Sequence, residues 1–181
     1  MPRAQVRGVE LQYEIVGDHG PWFALSPGGR SGYFEFHSLA KTIAAFGFRV
    51  LLHDRRNCGA SDVSFDDSQG EDAHRVDDLH ELLSQLNARP AFVGGSSSGC
   101  RMSLLYYLRH RESVRGLLLM RVTGGQFPAK LLPENYFGQF IRSAEQGGMA
   151  AVCEMDHWRG CIESRPTNRD KLMAISPERF I

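Results

Sequence analysis

Nothing in these 181 residues tilts the charge: Lys plus Arg and Asp plus Glu number 21 each, so the net charge is zero with histidine neutral. A chain with no basic surplus has no electrostatic footprint for nucleic acid, and no nucleic-acid partner is expected. Long apolar runs are missing too. No stretch approaches the roughly 18 apolar residues of a membrane span, and the opening MPRAQVRGVELQYEIVG lacks the apolar core of a signal peptide. No membrane partner is expected either. The four cysteines (Cys58, Cys100, Cys153, Cys161) show no C-x-x-C spacing, and the seven histidines show no H-E-x-x-H. Neither a metal site nor a disulfide framework is therefore signalled. Free thiols in a reducing cytoplasm follow, with no cofactor. G-x-x-x-x-G-K-[ST] and G-x-G-x-x-G are both absent, which argues against a phosphate loop. The arginines that fall close together, Arg55 with Arg56 and Arg109 with Arg111, read as solvated helix ends.

What is present is an ordinary globular composition, 42% hydrophobic and 23% charged, in a length that suits one domain. AQVRG with ELQYEIV reads as an antiparallel hairpin. Apolar strands WFALS (22–26), FRVLLHD (48–54), AFVGG (91–95) and VRGLLLM (114–120) then alternate with helices. The first helix, 36–46, carries Phe36, Leu39, Ala40, Ile43 and Ala44 on one stripe, and Gly47 stops it. The second, 74–87, carries Val76, Leu79, Leu82, Leu83 and Leu86. The third, CRMSLLYYLRH (100–110), is apolar around much of its circumference and reads as buried. Alternation of this kind predicts a mostly parallel, doubly wound α/β sheet with helices on both faces and right-handed crossovers. Past Gly125 no strand-like run remains, so residues 1–125 are expected to form the core and 126–181 a helical lid or cap.

FVGGSSSGC (92–100) sets three hydroxyls between glycines. Gly95-Ser96-Ser97-Ser98-Gly99 fits G-x-S-x-G, with a strand entering and a helix leaving, the setting of a nucleophile elbow. A capped Gly/Ser turn without chemistry fits the same five residues. Ser96 and Ser98 are read as small, helix-capping neighbours of a central Ser97.

Three stretches together resemble the serine-nucleophile branch of the α/β-hydrolase superfamily, over its N-terminal two-thirds. ALSPGGRSG (24–32) stands where that family has its oxyanion turn, with Pro27 in place of the usual His and Gly28 retained. HDRRNCGAS (53–61) is similar to the Asp-x-Arg-Gly-x-Gly-x-Ser loop: Asp54, Arg56, Gly59 and Ser61 match, and Asn57 replaces a glycine. GGSSSG is the third. The resemblance implies Ser97 as nucleophile and the backbone N–H groups of Gly29 and Ser98 as oxyanion donors. It implies a small-molecule substrate with an ester-like carbonyl, as in carboxylesterases, lactonases or C–C hydrolases. A cofactor-free perhydrolase, or a scaffold that binds without catalysis, remains open. A serine at the elbow is not the pattern of the aspartate-nucleophile branch.

A serine needs a base, and the family's order is Ser, then Asp or Glu, then His. No seventh or eighth strand is apparent, and the acid and histidine are expected beyond Ile181. Within the chain, His37 and His110 read as surface residues, His53 as packing near the site, and His157 with Asp156 as part of the cap. None is assigned as the base. Phe127, Tyr136, Phe137, Phe140 and Trp158 would shape an apolar acyl site or simply pack the cap. Arg30 reads as a solvent-facing loop arginine, with an acidic substrate group as the alternative, and Cys58 as filler. The apolar 114–120 strand wants neighbours on both sides. A longer gene product, or a homodimer through that edge, is expected to supply the missing one.

Overall fold

The computed structural model describes residues 1–65, 68–124 and 126–181. Its strands are β1 (Arg3–Val6), β2 (Val9–Val16), β3 (Trp22–Ser26), β4 (Arg49–His53), β5 (Ala91–Ser96) and β6 (Val114–Met120). They form one sheet in the order β1-β2-β4-β3-β5-β6. β1 and β2 are a hairpin turning at Arg7 and Gly8, both at positive φ, and β2 pairs antiparallel with β4. β4, β3, β5 and β6 run parallel. This is the expected doubly wound α/β sheet.

Helices α1 (His37–Ala45), α2 (Glu71–Gln85) and α3 (Ser98–Arg109) cover its two faces. The period of two along β4 sorts them. Val50 and Leu52 pack with Tyr33, Phe36 and Ala40 on the α1 face, while Leu51 points the other way, to Val76, Leu79 and Met102 of α2 and α3. α1 ends as the sequence predicts, with Gly47 left-handed at φ 84 just past Phe46.

Three expectations are corrected. α2 starts at Glu71, three residues before the apolar periodicity begins, because its first turn carries Glu71 and Asp72, which suit a helix N-terminus. α3 is not buried all round. Gly99, Cys100, Met102, Ser103 and Tyr106 are its buried residues, while Leu104, Leu105 and Leu108 are exposed. Arg55 and Arg56 are not solvated; both are buried. Arg56 makes a bidentate pair with Asp78 of α2 at 2.6 and 2.7 Å.

The expected core–cap boundary falls on Gly125, which lies outside the described residues. Beyond it come α4 (Gln126–Pro133), a π-helical turn (Glu134–Gly138), α5 (Gln139–Cys153), α6 (Asp156–Ser164), α7 (Asn168–Met173) and α8 (Pro177–Phe180). Phe140, Ala144, Met149, Val152, Trp158 and Leu172 make a separate apolar cluster that also takes in Val63. Polar bonds fasten this segment to the sheet. The Asn168 amide, fully buried, accepts from Val63 N–H at 2.9 Å and donates to the carbonyls of Ser61 and Cys161 at 3.0 and 3.3 Å. Arg165 reaches both carboxylate oxygens of Glu10 at 3.2 Å.

Removing one partner of a buried hydrogen-bond set leaves the others unsatisfied. Asn168→Ala is expected to destabilise the fold by about 2 kcal/mol. Urea denaturation of the two proteins measures it, and a midpoint unmoved by the substitution contradicts the anchoring role.

Candidate active site

β5 delivers Ser97 onto a turn that most residues avoid. Its φ is 54 and ψ −114, positive-φ geometry in a residue that is not glycine. The surroundings hold it there. Ser97 N–H donates to Met120 O at 3.1 Å, at the end of β6. The Cys100 thiol donates towards the carbonyls of Met120 and Gly95, at 2.8 and 3.0 Å. A Cβ on Gly95 would lie 2.6 Å from Ser26 O and 2.6 Å from the carbonyl carbon of Gly99. A Cβ on Gly99 would overlap Ser26 O and lie 2.7 Å from Pro27 O. Both glycines of the motif are thus required by close approach of backbone to backbone.

The 27–32 loop closes over the turn. Gly29 has φ 48, and Gly28 N–H donates to Glu35 Oε1 at 2.8 Å. Ser98 does not cap the helix as the sequence suggested: the N-cap position of α3 is Ser97, which makes no side-chain cap bond, and the Ser98 hydroxyl donates to Gly29 O at 3.3 Å. Arg55 binds the same pieces from behind. Its Nη2 donates to Gly29 O at 2.9 Å and Gly28 O at 3.3 Å, and its Nη1 to Ser98 Oγ at 3.3 Å. Ser98 is the first residue of α3, where helix geometry leaves N–H groups without intrahelical acceptors.

Gly29, Ser97 and Ser98 line one cavity of about 590 Å³. The structure therefore brings together the three residues that the sequence singled out. Leu105, Leu132, Tyr136 and Phe137 give the cavity apolar wall, and Arg30, Glu71, Asp72, Arg75 and Arg101 give it charge. Burial opposes ionisation of Glu71, but Arg75 and then Arg30 outweigh it and hold its carboxyl below the usual range. Phe140 and Trp158 line a neighbouring cavity of about 380 Å³ instead. The side chain of Phe127 lies outside the described residues.

Arg30 is not a solvent-facing loop residue. It lines both cavities and sits among three aromatic rings, those of Phe137, Phe140 and Trp158. The Asn57 that replaces a family glycine keeps the left-handed backbone, φ 64, which asparagine tolerates. Its amide donates to Ser64 O and Glu71 Oε1 at 3.1 Å. Cys58 is buried beside Arg75, away from either cavity wall.

No histidine lines the Ser97 cavity among the described residues. His53 is buried with its Nε2 3.2 Å from Ser26 Oγ. His157 Nε2 donates to Asn57 O at 2.9 Å. Asp156, exposed, pairs with Arg159. His37 and His110 are half-buried rather than on the open surface: His37 meets Glu14 at 3.1 Å, and His110 stacks on His80 at 3.7 Å because α2 runs alongside. The described side chain closest to the Ser97 hydroxyl by hydrogen bonding is Thr123, its Oγ1 3.4 Å away. Thr123 and Arg55 are the site residues that sequence reasoning missed. Each follows a strand end, β6 and β4, and that position was the available signal.

The family model described as alpha/beta hydrolase fold matches residues 23–144. Among curated proteins, the hydrolase YraK of Bacillus subtilis is 32% identical over 114 residues, 63% of this chain and 41% of its own. A proline iminopeptidase of Saccharolobus solfataricus is 29% identical over 108 residues, 59% of this chain and 34% of its own. The chain thus spans less than half the length of these relatives. Among solved structures, the enol-lactonase of Burkholderia xenovorans LB400 superposes with TM-score 0.66 at 22% identity, covering 99% of this chain and 70% of that one. At that identity the likeness is one of fold.

Two poorly solvated histidines, His53 buried and His157 half-buried, make stability depend on pH. Burial pushes His157 down to about 4, with the charge of Arg30 adding to it. Burial, then Arg55, pushes His53 to about 3. An unfolded chain protonates histidine near 6.5. Stability is therefore full above about 6.5 and falls as the pH drops towards 4, because the unfolded state takes up protons that the folded state refuses. Thermal melts from pH 8 to pH 4 are expected to show this fall, and His157→Gln to lessen it by roughly 2 kcal/mol at pH 4. Parallel pH curves for the two proteins contradict it.

Proposed function

This chain belongs to the α/β-hydrolase family, and from that premise we propose that it acts as a serine hydrolase on an ester-like carbonyl. The observation that carries this reading is the strained Ser97, opening into a cavity that it shares with Gly29 and Ser98. In the proposed step, Ser97 Oγ attacks the carbonyl carbon and its proton passes to a base. The C=O pair moves to oxygen, and the N–H groups of Gly29 and Ser98 bind the resulting oxyanion. Collapse expels the leaving group, an alkoxide from an ester or lactone and a carbanion from a C–C substrate, which takes the proton from the base, and water then cleaves the acyl-serine. Carboxylester, lactone and C–C substrates all offer such a carbonyl.

Thr123 is no base, and no histidine lines the cavity among the described residues. The reading therefore requires an acid and a histidine from outside them, in the family's order after the nucleophile. Residues 126–181 serve as the cap on this reading, since Leu132, Tyr136 and Phe137 form cavity wall opposite the turn. The four cysteines are free and buried, which supports a reducing compartment, the cytoplasm. No helix among the described residues is long and apolar enough to cross a membrane. A second reading is a non-catalytic binder built on the same fold, with no histidine lining the cavity among the described residues.

A fluorophosphonate probe separates the two. Labelling is expected at Ser97, located by peptide mass, and lost in Ser97→Ala. No adduct, in this chain or in any longer form of it, favours the binder. We further propose that β6, which among the described residues pairs only with β5 and leaves Leu117 exposed, meets a second copy of the chain. Light scattering is expected to give a dimer, and a monomer that binds no hydrophobic dye overturns it.

A further inference from the structure

The charges in the Ser97 cavity do not cancel. Three arginines (Arg30, Arg75, Arg101) and two acids (Glu71, Asp72) line it. Arg75 takes Glu71 at 2.8 Å, and Arg101 takes Asp72 at 3.3 Å. Glu71 also accepts from Asn57 at 3.1 Å. Arg30 is more loosely held. Its ion pair with Glu71 is 3.8 Å, too long for a hydrogen bond, and its Nε and Nη1 have no hydrogen-bond partner among the described residues.

A guanidinium in that position is held without being satisfied. Its carbon lies 5.5, 5.3 and 5.6 Å from the ring centres of Phe137, Phe140 and Trp158. Those rings stabilise the cation and fix its place, but they accept no directed hydrogen bond in the fork plane. Only 14% of the side chain is exposed, so bulk water does little to satisfy it. It follows Gly29 directly in the chain and shares the cavity of Ser97.

The geometry points to a substrate that carries a carboxylate, paired with Arg30, at the end of an acyl or alcohol arm whose carbonyl reaches Ser97. This deepens the hydrolase reading and rests on it for the word substrate. A monoanion suits the site better than a phosphate dianion. One cation without a hydrogen-bonded carboxylate is available, and the carboxylates of Glu71 and Asp72 stand in the same wall and would repel a second negative charge. The arm must also pass Leu105, Leu132 and Phe137, so its middle is apolar and short.

The test reads binding, so it needs no turnover. Monomethyl glutarate and dimethyl glutarate differ by one charge and are titrated calorimetrically into the Ser97→Ala protein. The half-ester is expected to bind at least about tenfold tighter, as a charge-assisted hydrogen-bond pair provides. Arg30→Gln is expected to abolish the difference, and Arg30→Lys to keep part of it. Equal binding of the two esters overturns the proposal, as does a preference that survives in Arg30→Gln. The first comparison uses no Arg30 variant, so misfolding of that variant cannot hide the answer. The hydrolase reading fails separately. Without a Ser97 adduct but with the half-ester preferred, the cavity is an anion site in a binder. With an adduct but no preference, the enzyme stands and Arg30 is structural.

Discussion

The end of β3 presses against the start of α3 so closely that no side-chain carbon fits between them. Ser26 O meets both Gly95 and Gly99 at distances a Cβ could not share. Everything at the site follows from that approach. It forces the chain to reverse within a single residue, and that residue is Ser97, at φ 54. A strained, non-glycine conformation of this kind costs on the order of 1–3 kcal/mol and persists only when its surroundings over-determine it. Here the surroundings are specific: Met120 O takes the Ser97 N–H, and the Cys100 thiol spans the carbonyls of Met120 and Gly95. The turn is locked from the β6 side by these bonds and from the β3 side by the missing Cβ atoms.

Arg55 extends the same constraint. It is buried, and its hydrogen bonds run to the carbonyls of Gly28 and Gly29 and to the Ser98 hydroxyl, with no carboxylate among them. Burying a cation with no carboxylate bonded to it is expensive, and its desolvation lowers the arginine's own affinity for a proton even with Glu71 and Asp72 in range. Arg56, one residue on, shows the ordinary solution, a bidentate pair with Asp78. The contrast is informative. Arg56 ties the β4 loop to α2, whereas Arg55 polarises the two loop carbonyls and draws the 27–32 loop onto the first residue of α3. A positive charge behind those peptide groups favours negative charge on their far side, where the cavity lies.

The architecture was legible because it is written in short-range pattern. Apolar strands alternating with amphipathic stripes such as Val76, Leu79, Leu82 and Leu83 require a covered parallel sheet. Ser97 was legible for the same reason, since glycines at fixed spacing between a strand and a helix encode a turn that only backbone proximity can explain. What escaped was whatever depends on partners distant in sequence. Two adjacent arginines look like surface charge until Asp78, Gly29 and Ser98 are brought to them. Arg30 looks like a loop residue until α5 and α6 place Phe140 and Trp158 against it. The apolar residues of α3 looked like a buried helix because composition does not record that α2 and the sheet cover one side only. Asn57 appeared as a departure from pattern, yet its backbone kept the left-handed geometry that the glycine would have supplied.

The field around the cavity is therefore uneven. On the β4 side, Arg55, Arg75 and Arg30 are buried or nearly so, and neighbouring histidines are kept neutral: His53 near Arg55, His157 near Arg30. A histidine on that side could not hold the proton that a serine hydrolase must pass to it, because imidazolium would face like charge in a poorly solvated place. On the β6 side stands Thr123, the neighbour of the Ser97 hydroxyl, with no cation bonded to either among the described residues. Sheet order puts β6 at the edge, so this side is open to further structure. On the hydrolase reading, the base approaches Ser97 over β6 and displaces the weak contact with Thr123. Positive charge on the opposite side disfavours a protonated base there and leaves the β6 side free of that repulsion.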